Sequence, residues 1–151
     1  MRIDDFCVLS AGKGGVEIGN YIHIAVYTSL IGAGKITLRD FSNISSKVAI
    51  YSSNDDYSGK SMTNPMVPDE FTNVGHADVI VGRHVIIGSG SVILPGVNLE
   101  EGVAIGALSM VSKSCEAFWI YSGVPARKIK ERTRDLLEVE RIFLQKFGSY
   151  K

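Results

Sequence analysis

Aliphatic side chains return every sixth residue through the second half of this chain, and few folds accommodate that period. Counting by six from Val81 gives Ile87, Ile93, Leu99, Ile105 and Val111. Isoleucine, leucine and valine make up 40 of the 151 residues, so six in one fixed register would arise about once in three thousand trials. Six is neither the period of a helix nor that of a strand. It fits a short strand followed by a turn, with three such hexads closing one triangular coil. One aliphatic residue per hexad then points inward, and successive coils stack on a ladder of Ile, Val and Leu. Gly82, Gly88 and Gly106 follow the aliphatic position and are expected to ease a tight corner. The fifth hexad position carries Val85, Ser91, Val97, Val103, Ser109 and Cys115, all small or medium-sized. The first half repeats the pattern in Ile18, Ile24, Leu30 and Ile36, then two residues out of step in Leu38, Ile44 and Ile50. That shift implies a bulge or small insertion between coils.

The chain therefore reads as one all-β domain over 1–151, a parallel β-helix with coils at 16–50 and 79–116. Residues 51–78 hold Pro65, Pro68 and many Ser, Asn and Asp, the composition of a long excursion loop. Residues 127–147 set Leu136, Leu137, Val139, Ile142, Phe143, Leu144 and Phe147 beside charged positions, which reads as an amphipathic α-helix packed on the last coil. An open solenoid end needs such a cover.

Sixteen basic residues balance sixteen acidic ones, which offers nothing to nucleic acid or to an anionic membrane. No run approaches the roughly 18 apolar residues of a membrane span, and MRIDDFCVLS has no signal-peptide core. With two cysteines, Cys7 and Cys115, a disulfide framework is not expected, and a cytoplasmic setting is.

Residues 78–132, and above all VILPGV at 92–97 and GVPARKIKER at 123–132, resemble the C-terminal half of the hexapeptide-repeat acyltransferases. The similarity is to the galactoside, maltose and xenobiotic acetyltransferase branch, including enzymes of surface-polysaccharide biosynthesis. That resemblance implies a left-handed β-helix, a homotrimer with active sites between subunits, and acetyl-CoA as donor. It implies no metal. Ser89 and Ala107 stand where relatives contact the pantetheine arm. Ser112, Lys113, Arg127 and Lys130 stand where they meet the adenosine phosphates, which suits cationic side chains at the mouth of a groove.

Acetyl transfer needs a base for the acceptor proton and donors for the thioester oxyanion. Relatives carry the base histidine in the excursion loop, whereas the matching SSNDDYSG at 52–59 has none. Among His23, His76 and His84, the first choice is His84, at a corner of the first coil after the loop, with Asp55 to orient it. His76, at the end of the loop, is the second choice, and His23 reads as structural or exposed. Asn54 and Asp56 are candidates for holding the acceptor. The resulting reading is transfer of acetyl to a sugar hydroxyl in polysaccharide or lipopolysaccharide biosynthesis. The alternative is N-acetylation of an amino sugar, perhaps nucleotide-linked, because an amine demands a weaker base. Two readings come from other classes: a non-catalytic β-helix subunit, favoured by the missing loop histidine, and a γ-type carbonic anhydrase-like zinc lyase, whose histidine spacing is not met here.

Overall fold

A computed structural model describes residues 1–148. The chain winds as a triangular β-solenoid of six coils with three parallel faces. Face A stacks Arg2–Ile3, His23–Ile24, Asn43–Ile44, Ile86–Ile87, Ala104–Ile105 and Trp119–Gly123. Face B stacks Val8–Ala11, Ser29–Gly32, Ala49–Tyr51, Val92–Ile93 and Met110–Val111. Face C stacks Val16–Ile18, Ile36–Leu38, Val79–Val81 and Asn98–Leu99. The aliphatic register is the strand register: Ile24 pairs with Ile44, Ile44 with Ile87, and Ile87 with Ile105. Leu30, Ile50, Ile93 and Val111 form the matching column of face B. Fifth-position residues also point inward, and Val85, Ser91, Val97, Val103, Ser109 and Cys115 are all buried.

Coiling begins at Arg2 rather than at residue 16. The early coils are longer than three hexads, since His23 pairs with Asn43 while Ile86 pairs with Ala104. The extra residues lie in the corner after Ser29–Gly32 and put both Ile36 and Leu38 in the core, which is the physical content of the register shift. The glycines after the aliphatic position act through space rather than through dihedral freedom. A Cβ on Gly88 would lie 2.5 Å from the amide nitrogen of Ala107 in the next coil, and one on Gly82 would lie 2.7 Å from the Leu99 carbonyl oxygen. Left-handed backbone occurs elsewhere in the corners, and the residues there are mostly not glycine. Between faces C and A the column runs Tyr21, Phe41, His84, Gly102 and Phe118, with φ of 53°, 62°, 56°, 69° and 58°.

The expected helix over 127–147 divides in two. Ala126–Glu131 is a strand, antiparallel to Trp119–Gly123, and only Asp135–Phe147 is helical. Arg-Lys-Ile-Lys-Glu finds backbone partners on the last strand of face A, and this outweighs its helical propensity. Nor does the helix cover the last coil. The chain turns back along the corner between faces C and A, where the Arg132 guanidinium donates to the carbonyls of His84 and Gly102, each at 3.0 Å. Burial lowers the pKa of Arg132. The helix then lies against the corner rings, with Phe143 edge-on to Tyr21 and Phe41 at 5.2 and 6.1 Å. Among the described residues, no helix is long and apolar enough to cross a membrane.

Ile87 is fully buried in the central column. Ile87→Ala should lower unfolding free energy by about 2–5 kcal/mol in denaturant titration, whereas Val124→Ala at an exposed turn should change it by less than about 0.5 kcal/mol.

Candidate active site

Two cavities share the corner between faces B and C, which is also where the excursion leaves and rejoins the solenoid. The upper one encloses about 350 Å³ and is lined by Asn54, Asp55, Asp56, Asn73, Gly75, His76, Ala77 and Pro95. Four of the candidate site residues therefore meet in one place. The loop stems bring them there: Ser53–Asn54 pairs antiparallel with Gly75–His76, and His76 stands opposite Ser53. The His76 ring is exposed, with Nδ1 2.7 Å from the Ser53 hydroxyl. The Asp56 carboxylate accepts from the Ser58 amide at 2.8 Å, and its pKa is lowered chiefly by hydrogen bonds from Ser58. Among the upper cavity's acidic groups, this one is committed to its own turn.

The lower cavity encloses about 420 Å³ and includes Ser112, Lys113, Cys115, Glu116, Tyr121, Arg127 and Lys128 in its lining. Three residues expected to hold the donor, Ser112, Lys113 and Arg127, converge here. Lys130 lies outside this lining, exposed on the strand opposite Ile120. Lys128 takes part instead, with Nζ 2.7 Å from Glu116 and 3.8 Å from the centre of the Trp119 ring. Ser89 and Ala107 occupy a different corner, between faces A and B. There they stack one coil apart, and the Ser89 carbonyl accepts from the Leu108 amide at 2.9 Å. Cys115 is buried on the core side, and burial pushes its thiol up to about 11, which leaves it no nucleophilic character near neutral pH.

The structure separates the three histidines. His84 belongs to the corner between faces C and A, away from the excursion stems of its own chain. Its ring stacks on Phe41 at 5.0 Å, and Nε2 lies 2.9 Å from the Glu140 carboxylate of the C-terminal helix, leaving the side chain 11% exposed. Arg83 also donates to Glu140. Within one chain this environment docks the helix, and the expected approach of Asp55 to His84 is not formed. His23 bridges Asp4 at 3.0 Å and Asn43 at 3.1 Å across three coils. Among the described residues, no group of three His, Cys, Asp or Glu could hold a metal ion.

Sequence reasoning overlooked Ser53, Glu140 and Lys128. Ser53 carries no signal in a serine-rich loop. Glu140 would have required knowing that the helix folds back to the corner at Arg83 and His84. Lys128 follows Arg127 in the sequence and lines the same cavity, but its segment reads as helix from the sequence alone.

No family model matches the chain. It is 59% identical over 143 residues to a dTDP-4-amino-4,6-dideoxy-D-glucose acyltransferase of Escherichia coli, covering 95% of this chain and 74% of that protein. It is 33% identical over 139 residues to a putative lipopolysaccharide biosynthesis O-acetyl transferase of Escherichia coli K12, covering 87% of this chain and 65% of that one. The solved structure of AntD, an N-acyltransferase from Bacillus cereus in complex with dTDP and 3-hydroxybutyryl-CoA, superposes with a TM-score of 0.92 at 48% identity, over 98% of this chain and 78% of that chain.

Two measurements check these environments. His84→Ala leaves the Glu140 carboxylate largely buried beside Arg83 alone and removes a stacked ring, so the thermal midpoint should fall by several degrees, equivalent to about 1–3 kcal/mol. At pH 8 a small alkylating reagent should modify Cys7 in the native protein and spare Cys115 until denaturant is added, as peptide mass spectrometry would show.

Proposed function

The chain belongs to the hexapeptide-repeat sugar acyltransferases, and from that premise we propose that it transfers an acyl group from a coenzyme A thioester to the amino group of a dTDP-linked 4-amino-4,6-dideoxy sugar. The observation that carries this reading is 59% identity, across 95% of the chain, to an enzyme named for that acceptor. The AntD complex supports a coenzyme A donor and a dTDP-linked acceptor. Acetyl-CoA is the simplest donor, and the 3-hydroxybutyryl-CoA bound by AntD argues that the acyl group extends to longer chains. Transfer to a sugar hydroxyl in polysaccharide or lipopolysaccharide biosynthesis is the second reading, supported by the 33% identical O-acetyl transferase relative.

The chemistry follows from the two cavities. Lys113, Arg127 and Lys128 offer cations for the donor's phosphates, with Ser112 beside them, and Lys130 adds charge nearby on the hairpin. Ser89 and Ala107 would meet the pantetheine arm of a donor lying against the A–B corner of a subunit. Since that corner and the B–C corner are separate in one chain, a groove between neighbours in a homotrimer is the arrangement that uses both. The sugar sits in the upper cavity against Asn54, Asp55 and Asp56. Its amine nitrogen attacks the thioester carbonyl carbon, a C–N bond forms, and the carbonyl oxygen takes the negative charge. Collapse breaks the C–S bond. His76 accepts the ammonium proton at Nε2, and the departing thiolate takes a proton in turn. His76 suits the role better than His84, because it lines the cavity and is exposed. Two free cysteines suit a cytoplasmic enzyme.

The test is turnover with dTDP-4-amino-4,6-dideoxyglucose against the matching dTDP-sugar bearing a hydroxyl at C4, followed by coenzyme A thiol release. The amine should be acylated at least tenfold faster by kcat/KM, and the opposite order would establish the hydroxyl reading. His76→Gln should lower kcat roughly 10²–10⁴-fold. Lys113→Glu should raise the donor KM while leaving the acceptor KM near its native value. Light scattering should give three chains per particle.

A further inference from the structure

We infer that Ser53 is a positioning residue for His76, holding the imidazole in the tautomer whose Nε2 faces the upper cavity as a proton acceptor. The inference rests on the proposed role of His76 and adds the device that sets it. The Ser53 hydroxyl oxygen is fixed from behind, because it accepts from the backbone amide of Ala33 at 2.7 Å. On its other side lies His76 Nδ1, also at 2.7 Å. The Ser53 hydroxyl could donate to Nδ1 or accept from it. The inference is that it accepts, with its own proton turned to solvent on the exposed side, which leaves Nε2 with its lone pair.

The support beneath Ser53 is rigid. Ser52, fully buried, donates its hydroxyl to the Gly34 carbonyl at 2.7 Å, and the Ala77 amide donates to the Ser52 carbonyl at 3.0 Å. The Asp78 carboxylate accepts from the Lys35 amide at 2.8 Å. Both stems of the excursion are thus tied to the corner at residues 32–35 of the preceding coil. The approach is close enough that a Cβ on Gly34 would lie 2.8 Å from the Ala77 carbonyl oxygen, and one on Gly32 would lie 2.7 Å from the Ser53 amide nitrogen. The corner that lengthens the early coils is therefore also the anvil against which the serine and histidine are set. An isolated hydroxyl on a mobile loop would lose orientational freedom in holding a ring, whereas here the backbone amide of Ala33 has already fixed the oxygen.

The groups facing His76 are those of the upper cavity, with Asn54, Asp55, Asp56 and Asn73 as its other polar side chains. None of these side chains has a hydrogen bond to the His76 ring, which among the described residues is bonded by Ser53.

The test compares Ser53→Ala and Ser53→Thr in the full-length protein. Nitrogen-15 chemical shifts of His76 should report Nδ1–H as the dominant neutral tautomer in the native protein and in Ser53→Thr. The two tautomers should mix in Ser53→Ala. The kcat of Ser53→Ala should fall about 10–100-fold with both KM values within about threefold of native, and Ser53→Thr should recover most of it. A purely structural serine would lower the thermal midpoint without changing the tautomer or the pH dependence of kcat. Native tautomer balance and native kcat in Ser53→Ala would overturn the inference even if His76→Gln is inactive. Full activity of His76→Gln would instead remove the role of His76, an outcome read separately from the tautomer measurement. A dominant Nε2–H form in the native protein would overturn the inference by itself.

Discussion

Parallel stacking of one coil on the next at matched register is the constraint from which the rest follows. Each inward aliphatic residue rests on its equivalent one coil away, as Ile24, Ile44, Ile87 and Ile105 do on face A and Leu30, Ile50, Ile93 and Val111 on face B. A slip of one residue would turn each of these side chains outward. Spacing between coils is set by the backbone ladder, so corner residues are also held in columns, and whatever stands in a corner stacks on its equivalent above and below. That is why rings align at Tyr21, Phe41 and His84, and why bulky residues hold left-handed dihedrals that ordinarily favour glycine.

The two cavities are placed at a corner by the same geometry. Face strands are short and their inward positions are committed to the core, so variation is absorbed where the chain turns. At the B–C corner the excursion leaves after Ala49–Tyr51 and returns at Val79–Val81. One coil further on, the corner holds Pro95, and the next holds Ser112 and Lys113. The two cavities thus lie along one edge. The C–A corner is committed differently. Its aromatic column receives the C-terminal helix, and the pairing of His84 and Arg83 with Glu140 fixes that helix to the fourth coil. Within one chain His84, a candidate base in the sequence, is part of a packing joint.

Much of the fold was legible because period and register coincide in a β-helix. The positions of Val81, Ile87, Ile93, Leu99, Ile105 and Val111 state the coil length, and the two-residue shift at Leu38 states that the earlier coils are longer. The lower cavity was partly legible, since Ser112, Lys113 and Arg127 lie in the stretch at 78–132 that resembles the family. The placement of the histidines was less so. His76 and His84 are eight residues apart and look equivalent in one dimension, yet the solenoid sends them to different corners.

The sequence by itself determined the coil, the core column, the excursion and the acyltransferase family, because each rests on local spacing or on strings that keep their meaning without coordinates. The tertiary structure alone decided that 126–131 joins face A as a strand, that the helix returns to Tyr21, Phe41 and His84, and that Ser53 meets His76 across the loop stems. Those outcomes depend on which segments become neighbours after winding. No periodicity in the chain encodes a contact between residue 33 and residue 53, or between residue 84 and residue 140, until the coils have stacked.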